Sequence, residues 1–194
     1  MAEGVILAAG QSRRTAPDCK LLLRAGGMTL LGHAVAGMAA HCARVFVVTG
    51  AHAGAVGEAL SGMANVVPVH NPGYRTGMFG SVLAGLRETA ADEVFVLPGD
   101  CPFVPAEVYA ALLKEPGGVV VPAWCGREGH PVLLRRPAIS ALLCGGGHRS
   151  LREFIAAYGA RYALVGSPAI LDDIDTPEAY GLAAAREEGA GWAG

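Results

Sequence analysis

Short runs of apolar, mostly β-branched residues alternate with alanine- and leucine-rich stretches along most of the chain. Runs this short and this continuously apolar are typical of strands that are buried on both faces of a parallel sheet. The strand candidates are Val5–Leu7, Val45–Val48, Val66–Val69, Val94–Leu97 and Val119–Val121, with weaker ones at Val132–Leu134 and Tyr162–Val165. The alternation predicts an α/β fold, a three-layer α/β/α sandwich around a mostly parallel, Rossmann-like sheet.

Amphipathic stripes between these runs predict the helices. One helical face carries Leu30, Leu31, Ala34, Val35 and Met38, a second carries Val82, Leu83, Leu86 and Ala90, and a third follows Pro105. A last helix is expected at Thr176-Pro177-Glu178, because Thr is a favoured N-cap and Pro a favoured first helical residue. Ligands of such folds bind at the carboxyl ends of the strands. We therefore expect the site in the loops after Leu7, Val48, Val69 and Leu97.

The composition excludes several classes of function. The 194 residues fit one domain, and the net charge of −2 lacks the basic excess that is typical of nucleic-acid or membrane-surface binding. Five scattered cysteines without a CxxC pair indicate reduced thiols in a cytosolic protein. The first residues include no basic segment like that of a signal peptide, and no apolar run has the length of a membrane span. We expect a cytoplasmic protein that does not contact membranes.

The loop after the first strand candidate combines small residues with cations and reads LAAGQSRRTAPDCK from Leu7 to Lys20. Small residues let the backbone approach a ligand, and successive amides there can hold anions. Arginine and lysine are the usual phosphate-binding side chains. Taken alone, these residues also fit an ordinary loop with solvated basic side chains. The chain lacks both GxGxxG and GxxxxGK(S/T), so neither a dinucleotide oxidoreductase nor a P-loop NTPase is supported.

Carboxylates follow the fourth strand candidate and precede the last helix. Asp100 ends the strand, where it could hold Mg²⁺ together with substrate phosphates, although an Asx turn before Pro102 is the structural alternative. Asp173 and Asp175 point to the same side of an extended segment and could share a cation. Helix capping is the alternative for Asp175. The segment from Asn71 to Val82 opens a helix, whose free amides attract anions, although a turn followed by a Ser N-cap is the structural alternative.

These motifs together resemble the MobA-like NTP transferases, and most closely their molybdenum-cofactor cytidylyltransferase branch. The resemblance runs from Val5 to Tyr180 and rests on five motifs in the family's order. They are LAAGxSxR with Lys20 before a Leu run, N…G-M-x-x-S at residues 71–81, Asp-x-Pro at 100–102, G-x-x-G-H-P-V-L at 126–133, and D-I-D-T-P-E at 173–178. The fold it implies is that of nucleotide-diphospho-sugar transferases. It also implies one nucleotidyltransferase domain over 1–194, with a nucleotide-binding half at about 1–100 and an acceptor-binding half at about 101–180.

The resemblance assigns roles to individual residues. Nucleotide binding falls to Leu7, Ala8, Ala9, Gly10, Arg14, Lys20, Asn71, Gly80 and Ser81. The backbone of the LAAG part would read the base, whereas Arg14 and Lys20 would hold the triphosphate and act in catalysis with Asp100. Mg²⁺ would bind Asp100 and Asp175, with Asp173 in reserve, and the acceptor would meet His130 and Arg149. Ala9 replaces a glycine of the guanylyl-transferring branch and thereby favours cytosine.

The implied reaction moves a nucleoside monophosphate, CMP from CTP, onto a phosphate-bearing acceptor and releases pyrophosphate. The closest branch implies molybdopterin carrying molybdenum as the acceptor, and a molybdoenzyme or chaperone as the recipient of the product. A related nucleotidyltransferase that acts on a sugar phosphate or another cofactor precursor is an alternative. The chain has Thr15-Ala16 where the family has Met-Gly, and it lacks the Asp of an L-x-G-D-x-G segment near Leu143. These departures motivate another alternative, a degenerate NTP-binding regulatory protein.

Overall fold

The computed structural model describes residues 1–10, 19–174, 176, 178–182 and 185. The strands of this part are β1 (Ala2–Ala8), β2 (Arg24–Ala25), β3 (Met28–Thr29), β4 (Cys42–Thr49), β5 (Val66–His70), β6 (Glu93–Pro98), β7 (Val119–Trp124), β8 (Arg127–Glu128), β9 (Val132–Arg135) and β10 (Arg161–Leu164). The α-helices are α1 (Leu30–Ala39), α2 (Ala53–Ala59), α3 (Met78–Glu88), α4 (Ala106–Lys114), α5 (Arg136–Leu143) and α6 (Leu151–Tyr158). Short 3₁₀ turns cover Lys20–Leu22, Tyr74–Thr76 and Pro168–Leu171.

The central sheet has the strand order β10-β7-β9-β6-β1-β4-β5 within the described residues, and β8 pairs with β7 off this path. Strands β6, β1, β4 and β5 are parallel neighbours, and β10 is parallel to β7. Only β9 among the main strands runs antiparallel to both of its described neighbours, β6 and β7. The predicted mostly parallel sheet is therefore confirmed. The direction of β9 could not be predicted, because a short apolar run carries no sign of strand direction.

Helices cover both faces of this sheet. One face packs against α1, α2 and α4, and the opposite face packs against α3, α5 and α6. Neighbouring residues of β1 serve opposite layers, since Ile6 belongs to the first cluster whereas Val5 and Leu7 belong to the second. Burial of one such aliphatic side chain contributes about 1.5–3 kcal/mol. Coverage on both faces explains why the central strands read as continuous apolar runs.

The direction of winding reverses between β1 and β6. From β1 the chain passes through α1 to β4 and through α2 to β5, and α3 then carries it back to β6 on the other side of β1. Leu7 is in register with Pro98, and the Gly99 amide donates to the Leu7 carbonyl at 3.0 Å. Ligands of open α/β sheets bind at such a switch point, outside the carboxyl ends of the strands.

The sequence located the strands better than the helices. The three predicted stripes lie in α1, α3 and α4, although α3 ends at Glu88, before Ala90. Thr176 caps the predicted last helix, because its Oγ1 accepts from the Ala179 amide and residues 178–182 are helical. Pro177 lies outside the described residues. The pattern missed α2, α5 and α6, and no helix of the described part is long and apolar enough to span a membrane.

A buried carboxylate connects the amino ends of the central strands. Glu3 is 4% exposed, and its carboxylate accepts from the amides of Ala90 and Ala91 at 2.7 and 2.9 Å and from the Arg44 guanidinium. Burial by itself raises the pKa of Glu3, but the two amides and Arg44 together overcome this and hold the pKa below its usual value. The charged form of Glu3 therefore stabilises the fold.

Glu3→Gln should lower the free energy of unfolding at pH 7 by about 1–3 kcal/mol, because it removes a charged acceptor from buried donors. Denaturant unfolding measures this loss. A folded-state pKa below the unfolded value of 4.5 gives stability that is present above pH 4.5 and disappears as the pH falls through the folded pKa. The difference in the free energy of unfolding between wild type and variant should therefore become smaller in that acidic range. Glu93→Gln is the control, because Glu93 is more exposed than Glu3 and pairs with Arg135. This substitution should cost less than about 1 kcal/mol.

Candidate active site

Opposite charges meet where β1 and β6 end. Lys20 lies in the 3₁₀ turn that follows the first loop, and Asp100 lies two residues after β6. Lys20 Nζ is 2.9 Å from Asp100 Oδ2, and the two side chains are only 16% and 25% exposed. The structure thus joins two of the predicted site residues in a shielded ion pair at the switch point.

The segment before the last helix is anchored beside Asp100. The Ile174 amide donates to the Asp100 carbonyl at 2.9 Å, and the Ile174 side chain is buried in a cluster with Ala25 and Leu30. The Tyr180 hydroxyl donates to the Arg24 carbonyl at 2.5 Å. This packing places the exposed carboxylate of Asp173 in the same pocket as Asp100. Asp175, the predicted second metal ligand, lies outside the described residues.

Asn71 and Ser81 connect the end of β5 to the start of α3. Both residues are buried, and Asn71 Nδ2 donates to Ser81 Oγ at 3.0 Å. Asn71 Oδ1 accepts from the Gly73 amide at 2.9 Å, which closes the turn after the strand. A methyl group built at Gly80 would lie 3.7 Å from Asn71 Nδ2. Asn71 and Ser81, two of the predicted nucleotide contacts, are therefore joined by a hydrogen bond, and Gly80 lies beside them.

The start of the first loop lies at the carboxyl edge between β6 and β4. Leu7, Ala8 and Ala9 are buried, whereas Gly10 is exposed. Ala8 is in register with Thr49 of β4. Residues 11–18, which include the predicted phosphate ligand Arg14, lie outside the described residues.

A large pocket opens next to the Lys20–Asp100 pair. Its volume is about 1310 Å³, and it is bounded by the carboxyl end of β6, the β7–β8 hairpin, the start of α3 and α6. The lining includes five of the predicted site residues or their reserve, namely Leu7, Asp100, His130, Arg149 and Asp173. Arg127 and Arg152 add further positive charge, and an apolar wall is formed by Met78, Phe79, Val82, Leu151 and Ile155. This combination fits a ligand that has both an anionic group and a ring system.

His130 lines this pocket and precedes a cis peptide bond to Pro131. Burial lowers the pKa of His130, and the carboxylates of Asp100 and Asp173 oppose this only in part. The ring is therefore neutral near pH 7. Its Nδ1 atom is buried and accepts or donates no hydrogen bond within the described part of the chain.

Cys101 also lines the pocket but is chemically quiet. Its side chain is 3% exposed, and burial raises the pKa of the thiol well above its usual value, with a further increase from Asp100 and Asp173. The reactive thiolate form is consequently absent at neutral pH. Group transfer through a covalent intermediate on Cys101 is not supported.

Sequence reasoning missed the wall that α6 contributes. Ser150 Oγ accepts from the Glu153 amide, and the Glu153 carboxylate accepts from the Arg149 amide. This Ser-x-x-Glu capping pattern is a recognised start signal for a helix. Together with the apolar residues at 151, 154 and 155, it could have predicted α6 and placed Arg152 near the pocket.

The donor set suits a hard divalent cation that keeps part of its shell for substrate. Asp100 and Asp173 offer oxygen ligands, and Mg²⁺ is usually held by one or two carboxylates plus water and phosphate oxygens. No group of three His, Cys, Asp or Glu side chains among residues 1–10 and 19–174 is arranged as a complete metal site. The residues present therefore fit a metal that binds together with a triphosphate.

The switch point, the shielded lysine–aspartate pair and the adjoining pocket are features of an α/β protein that binds its ligand at the carboxyl ends of the strands. Residues 4–162 match the family model of the MobA-like NTP transferase domain, and the chain belongs to this family of nucleotidyltransferases. It is 26% identical to the molybdenum cofactor cytidylyltransferase of Escherichia coli over 91% of this chain and 92% of that protein. It is 32% identical to a molybdenum cofactor guanylyltransferase of Acidiphilium cryptum over 81% of this chain and 80% of that protein. The nicotine blue oxidoreductase of Paenarthrobacter nicotinovorans is 31% identical, over 89% and 85%.

Solved structures have the same fold. A nucleotidyl transferase from Methanothermobacter matches with a TM-score of 0.80 and 23% identity over 98% of this chain and 99% of that chain. A Mycobacterium tuberculosis protein that was solved in complex with manganese matches with a TM-score of 0.75 and 23% identity, over 95% and 97%. The architecture is that of nucleotide-diphospho-sugar transferases, as the sequence predicted.

Proposed function

We propose that this chain transfers CMP from CTP to a phosphate oxygen of molybdopterin that carries molybdenum, and releases pyrophosphate. Family membership supports nucleotidyl transfer, and relatives named as cytidylyltransferase and guanylyltransferase support the acceptor. The observation that carries the proposal is the Lys20–Asp100 ion pair at the switch point, beside a pocket large enough for a second substrate.

The chemistry needs no covalent enzyme intermediate. An acceptor phosphate oxygen attacks the α-phosphorus in line, the bond from that phosphorus to the bridging oxygen breaks, and pyrophosphate leaves with the electron pair. Lys20 would exchange Asp100 for a phosphate oxygen of the triphosphate, and Arg14 would bind the same group. Positioning and charge compensation then account for catalysis.

A divalent metal, Mg²⁺ in our proposal, would be held by Asp100 and Asp175, with Asp173 as the neighbouring carboxylate. When bound, it supplies neutralisation of the phosphate charge. The amide of Ile174 would keep the Asp100 backbone in place, because it donates to the Asp100 carbonyl. A protein with the same fold was solved in complex with manganese, which agrees with the use of a divalent ion.

The pocket beyond Asp100 is the proposed acceptor site. Arg149 would pair with an anionic group of the acceptor. His130, which is neutral near pH 7, would contact the acceptor without adding charge to the pocket. Phe79, Leu151 and Ile155 offer an apolar wall for a ring system. A sugar phosphate would pair with the arginines, but its polar sugar would not pack against the apolar wall. The pocket therefore favours an acceptor with a less polar ring system.

A thermal-shift series with CTP, GTP, ATP and UTP, each with and without Mg²⁺, should show the largest increase of Tm for CTP with Mg²⁺. A ligand at about 100 times its Kd adds about 2.7 kcal/mol to the stability of the folded state. Pyrophosphate release is then measured with molybdenum-loaded molybdopterin, a sugar phosphate and buffer alone. Release with the molybdopterin acceptor only is the expected outcome.

Other outcomes separate the alternatives. Release with the sugar phosphate would assign a different acceptor, and binding of NTP without release for any acceptor would favour a regulatory NTP-binding protein. Because one relative is named as an oxidoreductase, the same preparation is also tested for dye reduction by NADH and NADPH. Sustained reduction, with no effect of NTP on Tm, would overturn the proposal.

A further inference from the structure

Loops from three strands converge on Gly50, the residue that follows β4. A methyl group built on Gly50 would lie 2.6 Å from the Ala9 carbonyl oxygen and 2.6 Å from Tyr74 Cβ. Contacts of that length do not occur for real Cβ atoms, so any side chain at position 50 must displace a neighbour. We call Ala9, Gly50 and Tyr74 the Gly50 junction.

The junction fixes the orientation of the peptide bond between Ala9 and Gly10. The Ala9 carbonyl oxygen lies against Gly50. In a trans peptide, the carbonyl oxygen of one residue and the N–H of the next point in opposite directions. The Gly10 N–H is therefore directed away from Gly50, and Gly10 itself is exposed. A ligand in the crevice can reach this donor.

Tyr74 is held firmly on the other side of the junction. Its amide donates to the Asn71 carbonyl at 3.2 Å, and Asn71 is fixed in turn by Ser81. The Arg75 guanidinium lies 5.6 Å from the centre of the Tyr74 ring, and Arg75 Nε donates to the Tyr74 hydroxyl at 3.2 Å. Cation–π contacts at exposed sites add a modest attraction to the ring. Tyr74 is thus braced against the turn that follows β5.

We infer that Tyr74 is a positioning residue for base recognition: through Gly50 it holds the Ala9–Gly10 peptide in the orientation that reads the base. The inference rests on the proposed function, in which the backbone of Ala8, Ala9 and Gly10 meets the base. Hydrogen-bond readout needs a donor–acceptor distance within a few tenths of an ångström of about 2.9 Å. Loosening the junction should consequently reduce discrimination between bases, while contacts to the phosphates remain.

Calorimetric titration of CTP, GTP and tripolyphosphate tests this directly. Tyr74→Ala keeps Cβ but removes the ring, whose Cγ would lie 2.8 Å from a methyl group built on Gly50. It should raise the Kd for CTP by about tenfold, the equivalent of about 1.4 kcal/mol, and should reduce the preference for CTP over GTP. The Kd for tripolyphosphate should stay within about twofold of wild type. Tyr74→Phe keeps the ring and should retain the preference. Tyr158→Ala, which removes a more exposed tyrosine on α6, is the control and should bind like wild type.

Gly50→Ala provides a second perturbation that keeps the tyrosine ring. It should reproduce the loss of base preference, because the new methyl group pushes against the Ala9 carbonyl. Equal loss of CTP and tripolyphosphate binding in both variants, or an unchanged preference for CTP, would overturn the inference without contradicting the proposed function. A wild-type protein that binds tripolyphosphate as tightly as CTP would overturn both the inference and the proposed function.

Discussion

Asp100→Asn should reduce nucleotidyl transfer by about 100-fold or more, while the folded protein remains stable. The amide has nearly the same shape as the carboxylate, but it carries no charge for a divalent metal and no longer compensates Lys20 at 2.9 Å. The backbone contact from the Ile174 amide to the Asp100 carbonyl does not depend on the side chain, so the local structure should persist. Pyrophosphate release at saturating NTP and the Tm of the variant are the two measurements.

Glu128→Gln is the matched control for that experiment. Glu128 lines the same pocket, is exposed, and accepts a hydrogen bond from the Tyr162 hydroxyl at 3.0 Å. If any carboxylate in the pocket supported turnover through its charge alone, both variants would lose activity together. We expect near wild-type activity for Glu128→Gln. An Asp100→Asn enzyme that keeps more than about a tenth of the wild-type rate, a barrier change below about 1.4 kcal/mol, would refute the metal-binding role.

The sequence predicted the sheet well because its central strands are covered on both faces. Val5, Ile6 and Leu7 are buried in alternate layers, so every position must be apolar and the run is easy to detect. Helix α2 was missed because Ala53–Ala59 contains two glycines and buries only Val56, which leaves no stripe. The direction of β9 depends on the two strands between which it pairs, and that pairing is a property of the whole sheet.

The candidate site was predictable in its parts but not in its contacts. Asp100 stands at the end of a detectable strand, and the family motif suggested its role. Its pairing with Lys20 joins residues 80 positions apart, which only the reversal of winding between β1 and β6 brings together. The neutral state of His130 follows from burial that the sequence does not reveal. Arg14 and Asp175 lie outside the described residues, so their roles stay predictions.

The two departures from the family pattern have different consequences. The acceptor-side Asp that the family carries near Leu143 is missing, yet the structure places Arg149 and Arg152 in the lining of the pocket just beyond that segment. An anionic acceptor therefore still has partners. Thr15-Ala16 falls within residues 11–18, so the phosphate end of the first loop is best tested through Lys20, whose position is described.

Lys20→Ala should weaken the binding of CTP by about 10- to 100-fold, because a charge-assisted hydrogen bond to a phosphate contributes about 1.5–3 kcal/mol. Binding of the nucleoside cytidine, which has no phosphate, should change far less. The loss of affinity for CTP should also be smaller at high salt, because salt screens the attraction between the protein's cations and the triphosphate. Lys114, the other lysine of the chain, is exposed in the last turn of α4, and Lys114→Ala is the matched control.

The double variant Lys20→Ala with Asp100→Asn separates the phosphate role of Lys20 from its ion pair. In Lys20→Ala alone, Asp100 keeps an uncompensated charge that repels the triphosphate, so part of the loss should be recovered when Asp100 is also neutralised. If the double variant recovers only part of the lost affinity for CTP in the absence of Mg²⁺, the remaining loss is the direct contribution of Lys20 to phosphate binding. Equal losses for CTP and cytidine in Lys20→Ala would instead show that Lys20 only maintains the shape of the site. Full recovery in the double variant would assign its whole effect to shielding Asp100.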